Sequence, residues 1–273
     1  HLIRSDDMFT IAPGTKGMVM VVFHLPSYNM VFKMIRDKFA PPKKVTEEIV
    51  KEKYHLVSQH NRVGRMTDSH VFKHLVFDRR RFDDELIEEL KMLAPSKISF
   101  DGNFLKISHV FVEKYMTPLN LYLKDASEQD ARIVIDGYGK AIKELASVNI
   151  FPGDLLLKNF GVTRLQRVVF YDYDEIGFLT NYNFRKIPEP KNEYEEFSAD
   201  PYYHVGPDDI FPEEFQRFLF PNNHTKRIFN ELHSDLYGTD FWKNTQEKIE
   251  NGELIDVFPY NENLRFANRF FNG

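Results

Sequence analysis

Four short polar residues stand in an apolar frame in the stretch FPGDLLLKNFGVTRLQRVVFYDYDE: Asp154, Asn159, Asp172 and Asp174. Such side chains beside runs like VVF are costly to bury alone, so they either cap turns through hydrogen bonds or gather around a cation. Two or three carboxylates and an amide form a set of hard oxygen donors. Mg²⁺ takes donors of this kind and keeps water and phosphate oxygens in its remaining positions. Chemistry on a nucleotide is the first reaction class this set suggests.

The intervals narrow it. Asn159 follows Asp154 by 5 residues, and Asp172 opens DYD 13 residues later. Protein kinases place a catalytic-loop Asp, an Asn and the first Asp of a metal-binding tripeptide in this order. Asp154 would then orient the attacking hydroxyl and accept its proton, Asn159 and Asp172 would hold the metal, and Asp174 would bind metal or order its loop. Turn-capping remains the other reading of the same four residues.

Those residues need elements to hold them. VVFYDYDE reads as a short buried strand after the turn TRLQR, and Val134, Tyr138, Ala141 and Leu145 form a helical stripe just upstream. Nearer the start, Met18 to Phe23 and Met30 to Ile35 read as two strands joined by HLPSYN. APGTKGM, comprising Ala12, Pro13, Gly14, Thr15, Lys16, Gly17 and Met18, is a short glycine loop ahead of them, and Lys33 lies in the second strand. A backbone cradle for phosphates followed by a strand lysine is what kinase chemistry requires. A plain turn and an edge-strand lysine that deters aggregation are the alternatives.

A helix behind a Thr46 cap buries Val50, Tyr54 and Val57, and an acidic partner for Lys33 is expected on it among Glu47, Glu48 and Glu52. A second helix carries Phe82, Leu86, Leu90 and Leu93, and a hairpin turns at DGN. Its second strand ends in VFVEKYM, which would link two lobes and offer backbone groups from Glu113 to Met116 to an adenine ring. From Thr117 onward the pattern is mostly helical. The expected architecture is therefore α+β, a bilobal protein-kinase-like fold with an antiparallel sheet plus helix in residues 1–116 and a mostly helical lobe in 117–273. Arg185 to Phe215, rich in Pro, acid and Tyr, reads as a long irregular surface segment.

Composition closes off other classes. The 273 residues carry a formal charge of −5 with both signs interspersed, and 42% are hydrophobic, so a sizeable core is available and no basic footprint for nucleic acid is present. The absence of cysteine excludes a thiol nucleophile and suits a reducing cytosol. No apolar run approaches the ~18 residues of a membrane span, so a soluble, cytoplasmic protein is expected. Because the chain begins with His1 rather than Met, it is expected to be part of a longer protein.

The letters themselves carry a resemblance. APGTKGMVMVVFHLPSYNMVFKMIRDKFAPPK, KYHLVSQHNRVGRMTD, NIFPGDLLLKNFGVTR and VVFYDYDEI resemble the bifunctional isocitrate dehydrogenase kinase/phosphatase family across nearly the whole chain. The resemblance implies the kinase domain of that family without its upstream regulatory domain. It implies ATP-dependent, Mg²⁺-assisted phosphorylation of a serine in isocitrate dehydrogenase, and removal of that phosphate in an ATP/ADP-dependent way. Carbon flow would thereby be switched between the Krebs cycle and the glyoxylate bypass. Ala12 to Met18 and Lys33 match the family's ATP-binding positions, and Asp154, Asn159, Asp172 and Asp174 match its catalytic and metal-binding cluster. Asp68 in RVGRMTD matches an active-site position, and Lys158 is placed to touch the transferring phosphate. Isocitrate dehydrogenase is the implied partner, with no nucleic acid or membrane.

Two departures from ordinary protein kinases stand out: FPGD replaces HRD, and DYD replaces DFG. The Arg that usually answers a phosphorylated activation loop is missing, so Arg185 to Phe215 reads better as a docking segment for the protein substrate, or as a mobile surface loop. Two other functions remain open at this level. One is a small-molecule phosphotransferase of the aminoglycoside or choline kinase type; the other is a silent nucleotide-binding scaffold.

Overall fold

Hydrophobic alternation builds the first part of the chain into a sheet. The computed structural model describes residues 2–39, 45–190, 202–220 and 222–257. Strands β1 (Thr10–Ile11), β2 (Met20–Leu25), β3 (Met30–Ile35), β4 (His70–Asp78), β5 (Ile98–Asp101) and β6 (Phe104–Lys114) form an antiparallel sheet of order β1-β2-β3-β6-β4, with β5 also pairing β6. The expected strand Met18 to Phe23 starts two residues later, because Gly17 and Met18 still belong to the loop between β1 and β2.

Helix α1 (Glu47–His60) begins where Thr46 accepts the Ile49 amide, and it buries Val50, Tyr54 and Val57 as its spacing predicts. Helix α2 (Asp84–Leu93) starts from an Asp83 cap. It lays Leu86, Ile87 and Leu90 on one sheet face among Phe9, Phe23, Phe32 and Phe82, where the Phe23 and Phe32 rings stack at 5.2 Å. The other face contributes Val19, Met20, Ile35 and Phe111 to a second core, shared with α1 and the helix-rich remainder. That shared core joins the two parts.

In the second part, β7 (Thr117–Pro118) leads through α3 (Leu119–Asp125) to α4 (Glu128–Ser147), whose Val134, Tyr138, Ala141 and Leu145 are all buried. Next come β8 (Ile150–Phe151), the hairpin β9 (Phe160–Val162) and β10 (Val168–Phe170), and β11 (Gly177–Phe178), which pairs with β8. β7 adds to β9, so the linking strand is sewn onto the hairpin that carries the polar residues. Helices α5 (Phe215–Phe218), α6 (Asn223–His233) and α7 (Thr239–Glu250) close the far side, with Trp242 fully buried among Phe151, Phe184 and Phe215.

The architecture is thus α+β, an antiparallel sheet followed by a mainly helical region. Among the described residues no helix is long and apolar enough to cross a membrane. The base of the Arg185 to Phe215 segment is tied by β12 (Asn183–Phe184) and β13 (Asp209–Ile210), which pair in parallel, and by Asn183 and Arg185 reaching the Asp209 carboxylate. Residues 191–201 of that segment, and 258–273 of the tail, lie outside the described residues.

Candidate functional site

The interval from Asn159 to Asp172 is a hairpin, and its register explains the count. Val162 faces Val168, Gly161 faces Val169 and Phe160 faces Phe170. One step further, Asn159 meets Tyr171, whose amide donates to the Asn159 carbonyl at 3.1 Å. Asp172 follows at once, so the hairpin delivers amide and carboxylate to the same rim. Gly161 permits this closeness, since a Cβ there would lie 2.8 Å from Met116 and 3.1 Å from the Tyr171 ring.

Asp154 is fixed by its own turn. Its Oδ1 accepts the Leu156 amide at 2.9 Å, and its carbonyl accepts Asn159 Nδ2 at 3.2 Å. The second bond spends the NH₂ end of the buried Asn159 side chain and leaves the amide oxygen as the end suited to a cation. Just before it, Gly153 takes φ +77° and presses against the backbone of the metal-type loop, where a Cβ would fall 2.4 Å from the Glu175 carbonyl oxygen. Only a glycine fits that approach. This is the structural role of the glycine in FPGD.

These residues open onto one cavity of about 210 Å³. Lining it are Ala12, Pro13, Gly14, Thr15, Lys16, Gly17 and Met18 from the β1–β2 loop; Lys33; Glu113 and Met116 at the end of β6; and Asp154, Lys158, Asn159, Asp172 and Asp174. Asp68 alone among the sequence-predicted site residues is not among the lining residues. It is exposed beside Asn61, whose Nδ2 donates to it at 3.3 Å. The strip Arg65–Thr67 runs parallel to the end of β10, with Thr67 donating to Phe170 O at 3.1 Å. Asp68 therefore flanks the hairpin from outside the cavity.

Among the lining groups that sequence reasoning missed are Arg36, Tyr54, Glu89, Asn120, Tyr171 and Glu175. Glu89 had left a signal: an acid beside the Leu86 and Leu90 stripe on the inward face of α2, only 7% exposed. It pairs with Lys16 of the glycine loop.

The acid for Lys33 is the main correction. Lys33 Nζ stands 2.8 Å from Glu113 Oε2, with 8% and 2% of the two side chains exposed. None of Glu47, Glu48 and Glu52 is the partner. Helix α1 turns Val50, Tyr54 and Val57 inward, which leaves Glu48 and Glu52 exposed and Glu47 tied to Lys51 and Lys97. Burial pushes the Glu113 carboxyl up, and the Lys33 ammonium opposes that push. The Lys33 ammonium also donates to the Tyr171 carbonyl at 2.7 Å, so sheet and hairpin meet at one side chain.

Around the hairpin the packing is aromatic and neutral. Tyr173, between Asp172 and Asp174, is fully buried and donates to the Thr67 carbonyl at 2.9 Å, while Tyr171 donates to the Lys158 carbonyl. Burial raises both phenols, so they remain donors at neutral pH. Among the described residues no three His, Cys, Asp or Glu side chains gather into a metal cage. The donor set facing the cavity is instead carboxylate plus amide, suited to a hard cation that keeps water and phosphate oxygens as further ligands. Five cations, Lys16, Lys33, Arg36, Lys114 and Lys158, line the same space. Anion and hard cation are both provided for.

Comparison with known proteins agrees with this arrangement. A family model described as isocitrate dehydrogenase kinase/phosphatase (AceK) kinase domain matches residues 7–262. The isocitrate dehydrogenase kinase/phosphatase of Pectobacterium carotovorum subsp. carotovorum is 50% identical over 269 residues, 98% of this chain and 46% of that protein. The protein of the same name from Photorhabdus laumondii subsp. laumondii is 50% identical over 265 residues, 97% of this chain and 45% of its own length. The chain spans just under half the length of these curated relatives. With the match running from the glycine loop through Asp154, Asn159, Asp172 and Asp174, the chain belongs to the isocitrate dehydrogenase kinase/phosphatase family, in the region of its kinase domain.

Proposed function

We propose that this chain is a bilobal protein-kinase-like domain, residues 1–116 forming one lobe and 117–273 the other. It phosphorylates a serine of isocitrate dehydrogenase from ATP and, with ATP or ADP bound, takes part in removing that phosphate. Flux between the Krebs cycle and the glyoxylate bypass, in the cytoplasm, would be the quantity it controls. The observation that carries the reading is the shared cavity, in which a glycine loop and Lys33 from the sheet face Asp154, Asn159 and Asp172 from the hairpin.

In this reading the Ala12 to Met18 backbone cradles the phosphates, Lys33 binds the α/β-phosphates, and the Glu113 to Met116 backbone borders the adenine. Asp154 orients the serine hydroxyl and accepts its proton, its carboxylate already aimed by the Leu156 amide. Lys158 meets charge on the transferring group. Asn159, Asp172 and Asp174 would hold Mg²⁺, which when bound neutralises the phosphate oxygens. In the reverse direction the same Asp154 carboxylate would activate the water that takes the phosphate, whereas Asp68 lies outside the cavity lining.

Thermal shift with ATP and Mg²⁺, paired with a transfer assay on isocitrate dehydrogenase, tests this. A shift together with labelled isocitrate dehydrogenase is expected. A shift with no transfer to any acceptor would support a silent scaffold, and transfer to an aminoglycoside or choline would support a small-molecule phosphotransferase.

A further inference from the structure

Helix α1 is fastened to the loop that carries Asp172 and Asp174, and not to the nucleotide lysine. In protein kinases the strand lysine draws its acid from the helix that follows, so the helix position controls the lysine. Here that acid, Glu113, sits in the same sheet as Lys33. Neither member of the pair belongs to α1.

What α1 does hold is the segment 173–178. Lys53 Nζ donates to the Asp174 carbonyl at 2.6 Å. Tyr54 packs edge-on against Tyr173 at 5.1 Å, and His60 edge-on against Phe178 at 5.4 Å. These residues lie along one side of the helix and meet positions 174, 173 and 178 of the loop. On the opposite flank, Lys33 donates to the Tyr171 carbonyl at 2.7 Å. Two ammonium groups thus bracket Asp172 and Tyr173 by their neighbours' carbonyls, and the Tyr173 hydroxyl pins the middle to Thr67.

We propose that Lys53 is a positioning residue for the cation-binding loop, and that α1 acts on the metal requirement of the reaction while leaving the grip of Lys33 on the nucleotide unchanged. A charged donor on the Asp174 carbonyl fixes the course of the backbone that bears both carboxylates. Groups that support metal ligands in this way are worth about 10- to 100-fold in metal affinity. The inference rests on the reading of Asn159, Asp172 and Asp174 as cation ligands.

The test uses equilibrium binding of a fluorescent ADP analogue, with and without Mg²⁺, to wild type, Lys53→Met, Asp172→Asn and Glu52→Gln, the last an exposed neighbour on α1. Amide hydrogen exchange over 171–176 is followed without nucleotide or metal. Lys53→Met is expected to raise the half-saturating Mg²⁺ concentration at least about tenfold, to keep metal-free affinity at the wild-type value, and to speed exchange in 171–176. Glu52→Gln should match wild type throughout. If Asp172→Asn shifts the Mg²⁺ dependence and Lys53→Met does not, the role of Lys53 is overturned and the cation site stands. If Asp172→Asn shifts nothing, the cation site itself is misplaced and both readings fall. Loss of metal-free binding in Lys53→Met would return α1 to the nucleotide side and also overturn the inference.

Discussion

Lys33 and Glu113 meet at 2.8 Å with almost no exposure, and the ammonium opposes the burial that pushes the Glu113 carboxyl up. Truncating one partner strands the other's charge. Glu113→Ala should therefore cost about 3–5 kcal/mol in urea unfolding, whereas Lys33→Met with Glu113→Leu should recover much of the loss because no buried charge remains. Equal destabilisation of the single and double variants would contradict this. Lys33→Met alone should raise the KM for ATP by about 10- to 100-fold, the worth of one charged hydrogen bond, and an unchanged KM would remove Lys33 from the nucleotide site. Lys33 was legible as a candidate only through its order after the glycine loop and ahead of the Asp cluster, because a lysine in an apolar strand by itself more often guards a sheet edge. Its acid was not legible. Glu113 reaches Lys33 through the β3–β6 register, in which Lys33 faces Phe111, and no local pattern encodes a pairing between strands so far apart in the chain.

At the scale of elements, the hairpin β9–β10 and the Gly153 turn decide where the carboxylates stand. Gly153→Ala places a Cβ 2.4 Å from the Glu175 carbonyl oxygen at a φ of +77°. A strain of at least about 1–3 kcal/mol is expected, with transfer activity falling further than stability because the clash moves the Asp154 and Asp172 loops apart. Wild-type activity in Gly153→Ala would show that the approach is not needed. Between α4 and α6, His233 is buried over Gly139 with Nε2 on the Asp136 carbonyl, and among the described residues its Nδ1 has no partner. Burial, with Lys143 adding to it and Asp136 opposing, holds this imidazole below its ordinary 6.5. The unfolded chain thus takes up a proton that the folded one refuses, so stability is present above pH 6.5 and is lost as pH falls from there toward the lowered folded value. Urea midpoints between pH 7 and 5 should fall less steeply in His233→Gln than in wild type. Identical slopes would contradict the assignment. The capped α1 and the α4 stripe were legible because burial follows helical periodicity there. β4 was not, for five of its nine residues from His70 are exposed in a row and His74 breaks the alternation with a φ of +56°.

Across the whole molecule, the site exists because two differently built parts are joined tightly where they face each other. Arg65, buried, forks onto Glu144 of α4 and donates to the Val168 carbonyl at 2.9 Å, while the strip it begins pairs with β10. Tyr54 stacks on Phe111 at 3.9 Å and completes the seam beside the cavity. The order glycine loop, strand lysine, Asp, Asn, Asp made the cavity's contents readable in advance; Arg36 and Glu89 were not, because their place in it depends on how α2 and the end of β3 pack. The central claim is that Asp154 works on a phosphate passing from ATP to isocitrate dehydrogenase. The direct measurement follows γ-labelled phosphate from ATP and Mg²⁺ onto isocitrate dehydrogenase with wild type and Asp154→Ala, with ATP affinity measured on the same preparations. The account predicts label on a serine of isocitrate dehydrogenase, a loss of about 10²- to 10⁴-fold in the variant, and nearly equal ATP affinity. Wild-type labelling by Asp154→Ala at equal ATP affinity would contradict it.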